Sequence, residues 1–274
     1  MESPDTSPVP DIAARLRLDG RRFVVLGGGY GMGRQSCHAL ASLGARVFVV
    51  DIDEERARQV AGEIGPVAGA GAGDAADRAD MTRLFGEAQT FLDGIDGVVD
   101  VIGMAEWGGI LETTDDRWAR QQDITVRHAF LALQLGGAAM ARGSGGSLVF
   151  VSSVSGLFSS ANHAAYGAGK AALLSLVKSA AEELGPLGIR VNAVVPGSVA
   201  TPRVVAMRAA GLIRPWEEDP SPIGPPAETA DIAAAVVFLS SDLSVQITGQ
   251  GLVVDGGLSI CTPFRRVKDR PADE

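Results

Sequence analysis

In the stretch AAYGAGK, residues 164–170, a tyrosine stands four residues before a lysine in a bed of Ala and Gly. Residues i and i+4 share one face of a helix, so Lys170 can stand beside Tyr166 if this stretch is helical. A free tyrosine has a pKa of about 10 and is a poor base near neutrality. A neighbouring ammonium favours the phenolate, and lowering a pKa by two to three units takes roughly 3–4 kcal/mol of differential stabilisation. The small residues at 164, 165, 167, 168 and 169 leave room for other molecules to approach the pair. The bland alternative is an exposed helix turn with no chemistry.

A second constellation is GGGYGMG, residues 27–33, where Gly27, Gly31 and Gly33 follow the apolar run RFVVL. A tight turn between a strand and a helix brings backbone N–H groups up to a pyrophosphate at the helix N-terminus. Asp51 ends the next apolar run, eighteen residues beyond Gly33. A carboxylate there accepts hydrogen bonds from adenosine ribose hydroxyls and repels a 2′-phosphate. The competing reading is a solvated acid in a turn, since Asp53, Glu54 and Glu55 follow. Asp74, at the end of VAGAGAGD, is a candidate for the adenine edge or, equally, a helix N-cap.

These residues need a scaffold. RFVVL (22–26), RVFVV (46–50), GVVDVI (97–102), SLVFVS (147–152), IRVNAVV (189–195) and GLVVD (251–255) read as strands. Their almost unbroken hydrophobicity suits strands covered on both faces. RQSCHALASLG (34–44) and DMTRLFGEAQTFL (80–92) read as helices, with Gly44 at the C′ position of the first. Strand–helix alternation implies right-handed βαβ units and an α/β fold: a single Rossmann-type domain with a doubly wound parallel sheet. The expected boundaries are a flexible tail over 1–14, the domain over 15–261 with a substrate lid at about 200–226, and a polar tail over 262–274. No internal repeat is evident, and the Pro-rich stretch 215–226 reads as a surface loop within the domain.

Composition narrows the partners. Among 274 residues the net charge is −9, with no basic stripe, which argues against nucleic acid. No apolar run reaches the roughly 18 residues of a membrane span, and MESPDTSPVP lacks the features of a secretory signal. The two cysteines, Cys37 and Cys261, fit neither a metal spacing nor a disulfide framework, so a cytoplasmic protein without metal is expected.

Five ordered motifs carry a resemblance: GGGYGMG, SSVSG (152–156), YGAGK (166–170), NAVVPGSVATP (192–202) and ITGQGLVVDGG (247–257). Over about residues 15–260 the chain resembles the short-chain dehydrogenase/reductase family. The resemblance implies that Tyr166 exchanges the substrate proton while hydride moves, helped by the positive nicotinamide ring of the oxidised cofactor. It implies that Lys170 lowers the tyrosine pKa and binds the nicotinamide ribose, and that Ser153 orients the substrate oxygen. Ser152 and Ser155 compete for that last role; the family spacing S-x-x-G, ending at Gly156, selects Ser153. The implied cofactor positions are Gly27, Gly31, Met32 and Gly33 in the turn, Asp51 and Ile52 after the second strand, and Asp74 and Ala75 after the third. Asp100 and Gly103 follow after the fourth. Tyr166 and Lys170 belong to the set, as do Pro196, Gly197, Val199 near the carboxamide and Thr201 near the pyrophosphate.

The chain departs from the family at three places. Leu26 stands where Thr is usual, and Asp100-Val101-Ile102-Gly103 stands for Asn-Asn-Ala-Gly. These normally bond across neighbouring strands, so apolar packing is expected to replace a polar link. Thr125 stands where an active-site Asn normally holds a relay water; either the threonine holds it, or the relay differs, or turnover is slow. Asp100 is open to two readings, a ribose contact or a structural strand end.

The resemblance implies an NAD-dependent oxidoreductase interconverting a secondary alcohol and a ketone, working as a homo-oligomer (dimer or tetramer) on a small molecule. The rivals are a weakly catalytic nucleotide sensor or scaffold, and a reductase of C=C bonds or thioester-borne ketones. Val204, Val205, Met207, Leu212, Ile213 and Trp216, with Met104, Trp107 and Phe158, are candidates for an apolar substrate wall; ordinary helix packing is the alternative.

Overall fold

The structure is a computed structural model that describes residues 7–213 and 221–261. Its centre is a seven-stranded, wholly parallel sheet of order β3-β2-β1-β4-β5-β6-β7. The strands are β1 (Arg22–Leu26), β2 (Arg46–Asp51), β3 (Ala68–Ala72), β4 (Gly97–Asp100), β5 (Gly146–Val151), β6 (Ile189–Pro196) and β7 (Gly251–Val254). The helices are α1 (Gly31–Ser42), α2 (Glu54–Ile64), α3 (Arg78–Leu92), α4 (Asp115–Gln122), α5 (His128–Ala141), α6 (Ala164–Leu184), α7 (Pro202–Ala209) and α8 (Thr229–Ser240).

Alternation along each strand feeds two cores. Val24, Leu26, Val98, Leu148 and Phe150 face one layer with α3, α5 and α6; Phe23, Val25, Val99, Val149 and Val151 face the other with α1, α2 and α8. Covering both faces explains why the strands read as continuous apolar runs, each fully buried Val or Leu contributing about 1.5–3 kcal/mol. Strand order reverses between β1 and β4, and in such sheets the crevice beyond the carboxyl ends of those strands receives ligands.

Local signals agree with these elements. Gly44 follows α1 with φ of +98°, and its N–H closes on the Ala41 carbonyl. One expectation moves: Asp77, not Asp74, caps α3, its side chain accepting from the Asp80 N–H. Asp74 sits in the preceding turn, where its carboxylate accepts from the Ala76 N–H at 2.8 Å. Residues 14–16 form a 3-10 turn at the expected start of the domain. Trp216 lies outside the described residues. Among the described residues no helix is long and apolar enough to cross a membrane.

Candidate active site

The nucleotide turn is built by steric necessity. Between β1 and α1, Gly27 and Gly31 take φ of +75° and +53°. A Cβ on Gly33 would collide with the Gly27 carbonyl, and one on Gly29 would stand 2.7 Å from an Asp51 oxygen. No side chain caps α1, which leaves first-turn N–H groups for an anion. Thr201 and Pro202 close the opposite side, with atoms 3.9 Å from the Cβ position of Gly31. This glycine cradle, with its uncapped helix end, leaves the Gly31 and Met32 N–H groups open to a pyrophosphate, while the Gly33 N–H donates to the Tyr30 carbonyl at 3.1 Å.

Asp51 ends β2 beside this turn. One carboxylate oxygen accepts from the Gly29 N–H at 2.9 Å and the other from the Asp53 N–H at 3.1 Å. Each oxygen retains a lone pair for a ribose hydroxyl. Arg34 points away from this place, its guanidinium held by Glu63 at 2.8 Å. Glu63 also contacts His38, Gln59 and Arg34, and these hydrogen bonds hold its carboxyl down at about 2. Arg56 borders the same turn, its Cβ standing with an Asp51 oxygen over the Cβ position of Gly29, while its guanidinium stacks 4.9 Å over the Tyr30 ring and pairs with Asp53 at 3.1 Å. Sequence reasoning missed Arg56 because it lies within an ordinary charged helix start. Ile52 is 76% exposed at the same rim, and Asp74 is exposed beside buried Ala75.

On the other side of the switch point, α6 carries Tyr166 in its first turn and Lys170 in its second. Ser153, just beyond β5, hydrogen-bonds Tyr166. The rival serines are engaged elsewhere: Ser152 donates to the Lys170 carbonyl at 3.1 Å, and Ser155 contacts Ser160 at 3.2 Å. Lys170 is fully buried, and its Nζ donates to the carbonyls of Val151 at 2.7 Å and Ile102 at 3.2 Å. Gly103 makes this possible, since a Cβ there would stand 2.5 Å from Nζ.

The protonation of this pair differs from the simple expectation. Burial pulls Lys170 down to about 8, while Asp100 opposes that shift. Burial raises the Tyr166 phenol above its usual value, and the Ser153 hydrogen bond opposes it. The Lys170 ammonium is turned toward backbone carbonyls and lies 5.8 Å from the ring centre.

Thr125 sits at 0% exposure in a single π turn, Asp123–Arg127, that joins α4 to α5. Its hydroxyl donates to the Gln121 carbonyl at 2.5 Å, which leaves it only as an acceptor. A Cβ on Gly169, beside Lys170, would collide with that hydroxyl, so the two helices touch here. Gln122 donates to the Ala165 carbonyl at 3.0 Å, and Gln121 staples the neighbouring loop through Met104 and Glu106.

At the Asp100 loop, Val101 and Ile102 pack 3.1 Å from the Cβ position of Gly27, so apolar contact does tie the two turns together. A polar link exists as well. Asp100 is 1% exposed and accepts from His128 Nδ1 at 2.7 Å and from the Ile102 N–H at 3.0 Å. Its carboxylate is therefore turned into the core rather than toward the nucleotide crevice, which favours the structural of its two readings.

Pro196 ends β6 and Gly197 follows, its N–H donating to Val254 at 3.1 Å. Val199 is buried and bridges Ala227. Thr201 caps α7 by accepting from the Val204 N–H at 3.2 Å, which leaves its hydroxyl proton available. Aromatic rings border Tyr166. Trp107 stacks on His163 with ring centres 3.9 Å apart, and His163 lies 5.4 Å from the Tyr166 ring. Met104, Phe158, Val205 and Leu212 are each at least 40% exposed. Among the described residues no group of three or more His, Cys, Asp or Glu is placed to hold a metal.

The model of a family described as enoyl-(acyl carrier protein) reductase matches residues 27–259. The chain is 35% identical to a trans-4-hydroxycyclohexanecarboxylate dehydrogenase from Sinomonas cyclohexanicum, over 88% of this chain and 93% of that one. It is 33% identical to a cyclopentanol dehydrogenase from Comamonas testosteroni, over 88% of this chain and 98% of that one. Among solved structures, levodione reductase superimposes with a TM-score of 0.85 at 27% identity, over 90% of this chain and 100% of that one. A 7α-hydroxysteroid dehydrogenase complexed with NADH and 7-oxo glycochenodeoxycholic acid gives 0.84 at 28% identity, covering 90% and 98%.

Proposed function

Because the chain belongs to the short-chain dehydrogenase/reductase family and is an oxidoreductase of secondary alcohols and ketones, we propose NAD(H) as its cofactor and an apolar alicyclic alcohol or ketone as its substrate. The observation that carries the chemistry is the convergence of Ser153, Tyr166 and Lys170 on one face beyond β5. The cofactor choice rests on Asp51, whose carboxylate would meet a 2′-phosphate with like charge. The substrate class rests on Trp107 beside the tyrosine, on the exposed apolar side chains Met104, Phe158, Val205 and Leu212, and on relatives named for cyclohexane and cyclopentane alcohols.

When bound, the nicotinamide supplies or receives the hydride. Gly31 and Met32 would hold the pyrophosphate through backbone N–H groups in the turn that Gly33 permits, Asp51 the adenosine ribose, and Lys170 the nicotinamide ribose. Ser153 orients the substrate oxygen. Tyr166 gives its phenolic proton to that oxygen in ketone reduction and removes it in alcohol oxidation. Positioned donors of this kind stabilise charge as it develops on the oxygen.

The test is a panel of cyclopentanol, cyclohexanol, trans-4-hydroxycyclohexanecarboxylate and a sugar alcohol with NAD⁺, each also with NADP⁺. A 2-enoyl thioester with NADH is included, because the matching family model carries an enoyl reductase description. Turnover of the alicyclic alcohols with NAD⁺ is the expected result. Turnover confined to the thioester, or to NADP⁺, would overturn the corresponding part of the proposal.

A further inference from the structure

His128 and Asp100 form a buried pair whose other bonds lead to the catalytic lysine. Their side chains are 2% and 0% exposed, and His128 Nδ1 lies 2.7 Å from one Asp100 oxygen. The carboxylate only accepts, so the ring proton is on Nδ1; His128 Nε2 is buried without a partner, and a proton there would be unpaired. The other Asp100 oxygen accepts the Ile102 N–H at 3.0 Å and thereby folds residues 100–102 into a tight turn. The Ile102 carbonyl from that turn receives the Lys170 ammonium at 3.2 Å.

We propose that Asp100, oriented by His128, is a positioning residue for Lys170: it fixes the turn whose Ile102 carbonyl receives the ammonium and places a buried negative charge behind that turn. This rests on the reading that Lys170 serves the tyrosine and the cofactor. The surroundings support the assignment. Tyr166 faces the ammonium from α6 itself, Asp100 from the end of β4, and His128 stands behind Asp100 on α5. From β5 the ammonium meets the Val151 carbonyl. From the π turn, Thr125 offers a hydroxyl to this part of α6, while Asp123 is exposed and Arg127 donates to the Ala76 carbonyl. The α4 face presents the amide of Gln122, and Asn192 of β6 bonds backbone groups at 247 and 250. Asp100 is thus the charge that opposes the burial of Lys170. His163, titratable at the start of α6, faces Trp107 and Tyr166 instead.

The experiment uses the full chain and two readouts across pH 6 to 10: NADH affinity by fluorescence, and kcat for cyclohexanol oxidation. Loss of the Lys170 charge weakens both on the alkaline side in the wild type. Asp100→Asn keeps the shape and removes the charge, and its alkaline midpoint is expected to fall by about one pH unit. His128→Gln can still donate to Asp100 and should leave the midpoint in place. His128→Leu removes the donor that holds Asp100 but leaves its charge, so the midpoint should shift as the carboxylate loses its position, which decides the matter if Asp100→Asn fails to fold. A uniform loss of affinity and melting temperature, with the midpoint unmoved in both Asp100→Asn and His128→Leu, would reduce the pair to a brace of the sheet and overturn the proposal. A wild type with no alkaline weakening of NADH binding would also overturn it. The binding readout needs no turnover, so a chain inert toward every alcohol would sink the proposed activity while this proposal was still decided.

Discussion

The Lys170 ammonium lies 5.8 Å from the centre of the Tyr166 ring while donating to two backbone carbonyls behind it. The helix brings the two side chains to one face, but the lysine is anchored toward the sheet rather than toward the phenol oxygen. In the proposed mechanism Tyr166→Phe removes the proton that passes to and from the substrate oxygen. Turnover should fall by about 10²–10⁴-fold, with NADH affinity nearly intact in a fluorescence titration. Lys170→Ala should weaken both, and retained activity in the Phe variant would refute the assignment.

The same geometry sets a pH dependence. Lys170 is drawn down to about 8 by burial, so its charge is complete well below that pH and lost as pH rises through it. Tyr166 is raised by burial, so its phenolate becomes accessible only as pH rises. In alcohol oxidation the two trends oppose, and a bell-shaped profile should result, whose alkaline limb disappears in Lys170→Met along with most of the rate. Ketone reduction needs the protonated phenol and should simply decline at high pH; stopped-flow NADH absorbance reads both directions.

Asp51 predicts a preference for NADH over NADPH worth on the order of 1–3 kcal/mol, the cost of like charges in a partly dry site. Asp51→Asn should tighten NADPH more than NADH, with Arg56, whose stem borders the same turn, as the cation free to swing to the 2′-phosphate. Adding Arg56→Ala should cancel that gain, whereas Arg34→Ala should not, because Arg34 is bound to Glu63. Titration calorimetry with both reduced cofactors checks the set.

Thr125 spends its proton on the Gln121 carbonyl. Thr125→Val should therefore cost about 1 kcal/mol of stability while leaving the solvent isotope effect on kcat unchanged. A larger isotope effect in the Val variant would show a relay through this hydroxyl after all. Thr125→Asn tests the opposite direction, since a longer amide must find space against Gly169.

Trp107, stacked on His163 beside the tyrosine, is placed to contact the body of a substrate. Trp107→Ala should raise KM for an alicyclic alcohol about tenfold, or about 1.4 kcal/mol, with less change in kcat, since such contacts serve ground and transition states alike. Equal KM values for cyclohexanol in variant and wild type would remove Trp107 from the pocket.

The sequence alone determined the local matters. Apolar runs bounded by glycine marked six of the seven strands, and a positive-φ glycine marked the end of α1. The spacing of Tyr166 and Lys170 was legible because a helix repeats at a fixed interval. The glycine turn with a distant acid was legible because a βα unit brings successive strand ends side by side. Even β3 could be suspected from VAGAGAGD, although Ala and Gly are weak strand formers and its bounds shift to Ala68–Ala72. Tertiary structure decided what depended on partners distant in the chain. Asp100 and His128 are 28 residues apart, and nothing in either residue type announces the other. Whether Arg34 or Arg56 stands near Asp51, which serine meets Tyr166, and where the Thr125 proton goes were likewise settled by packing. Burial acts on the tyrosine as well, raising its phenol, because desolvation comes from the packed surroundings that local spacing does not contain.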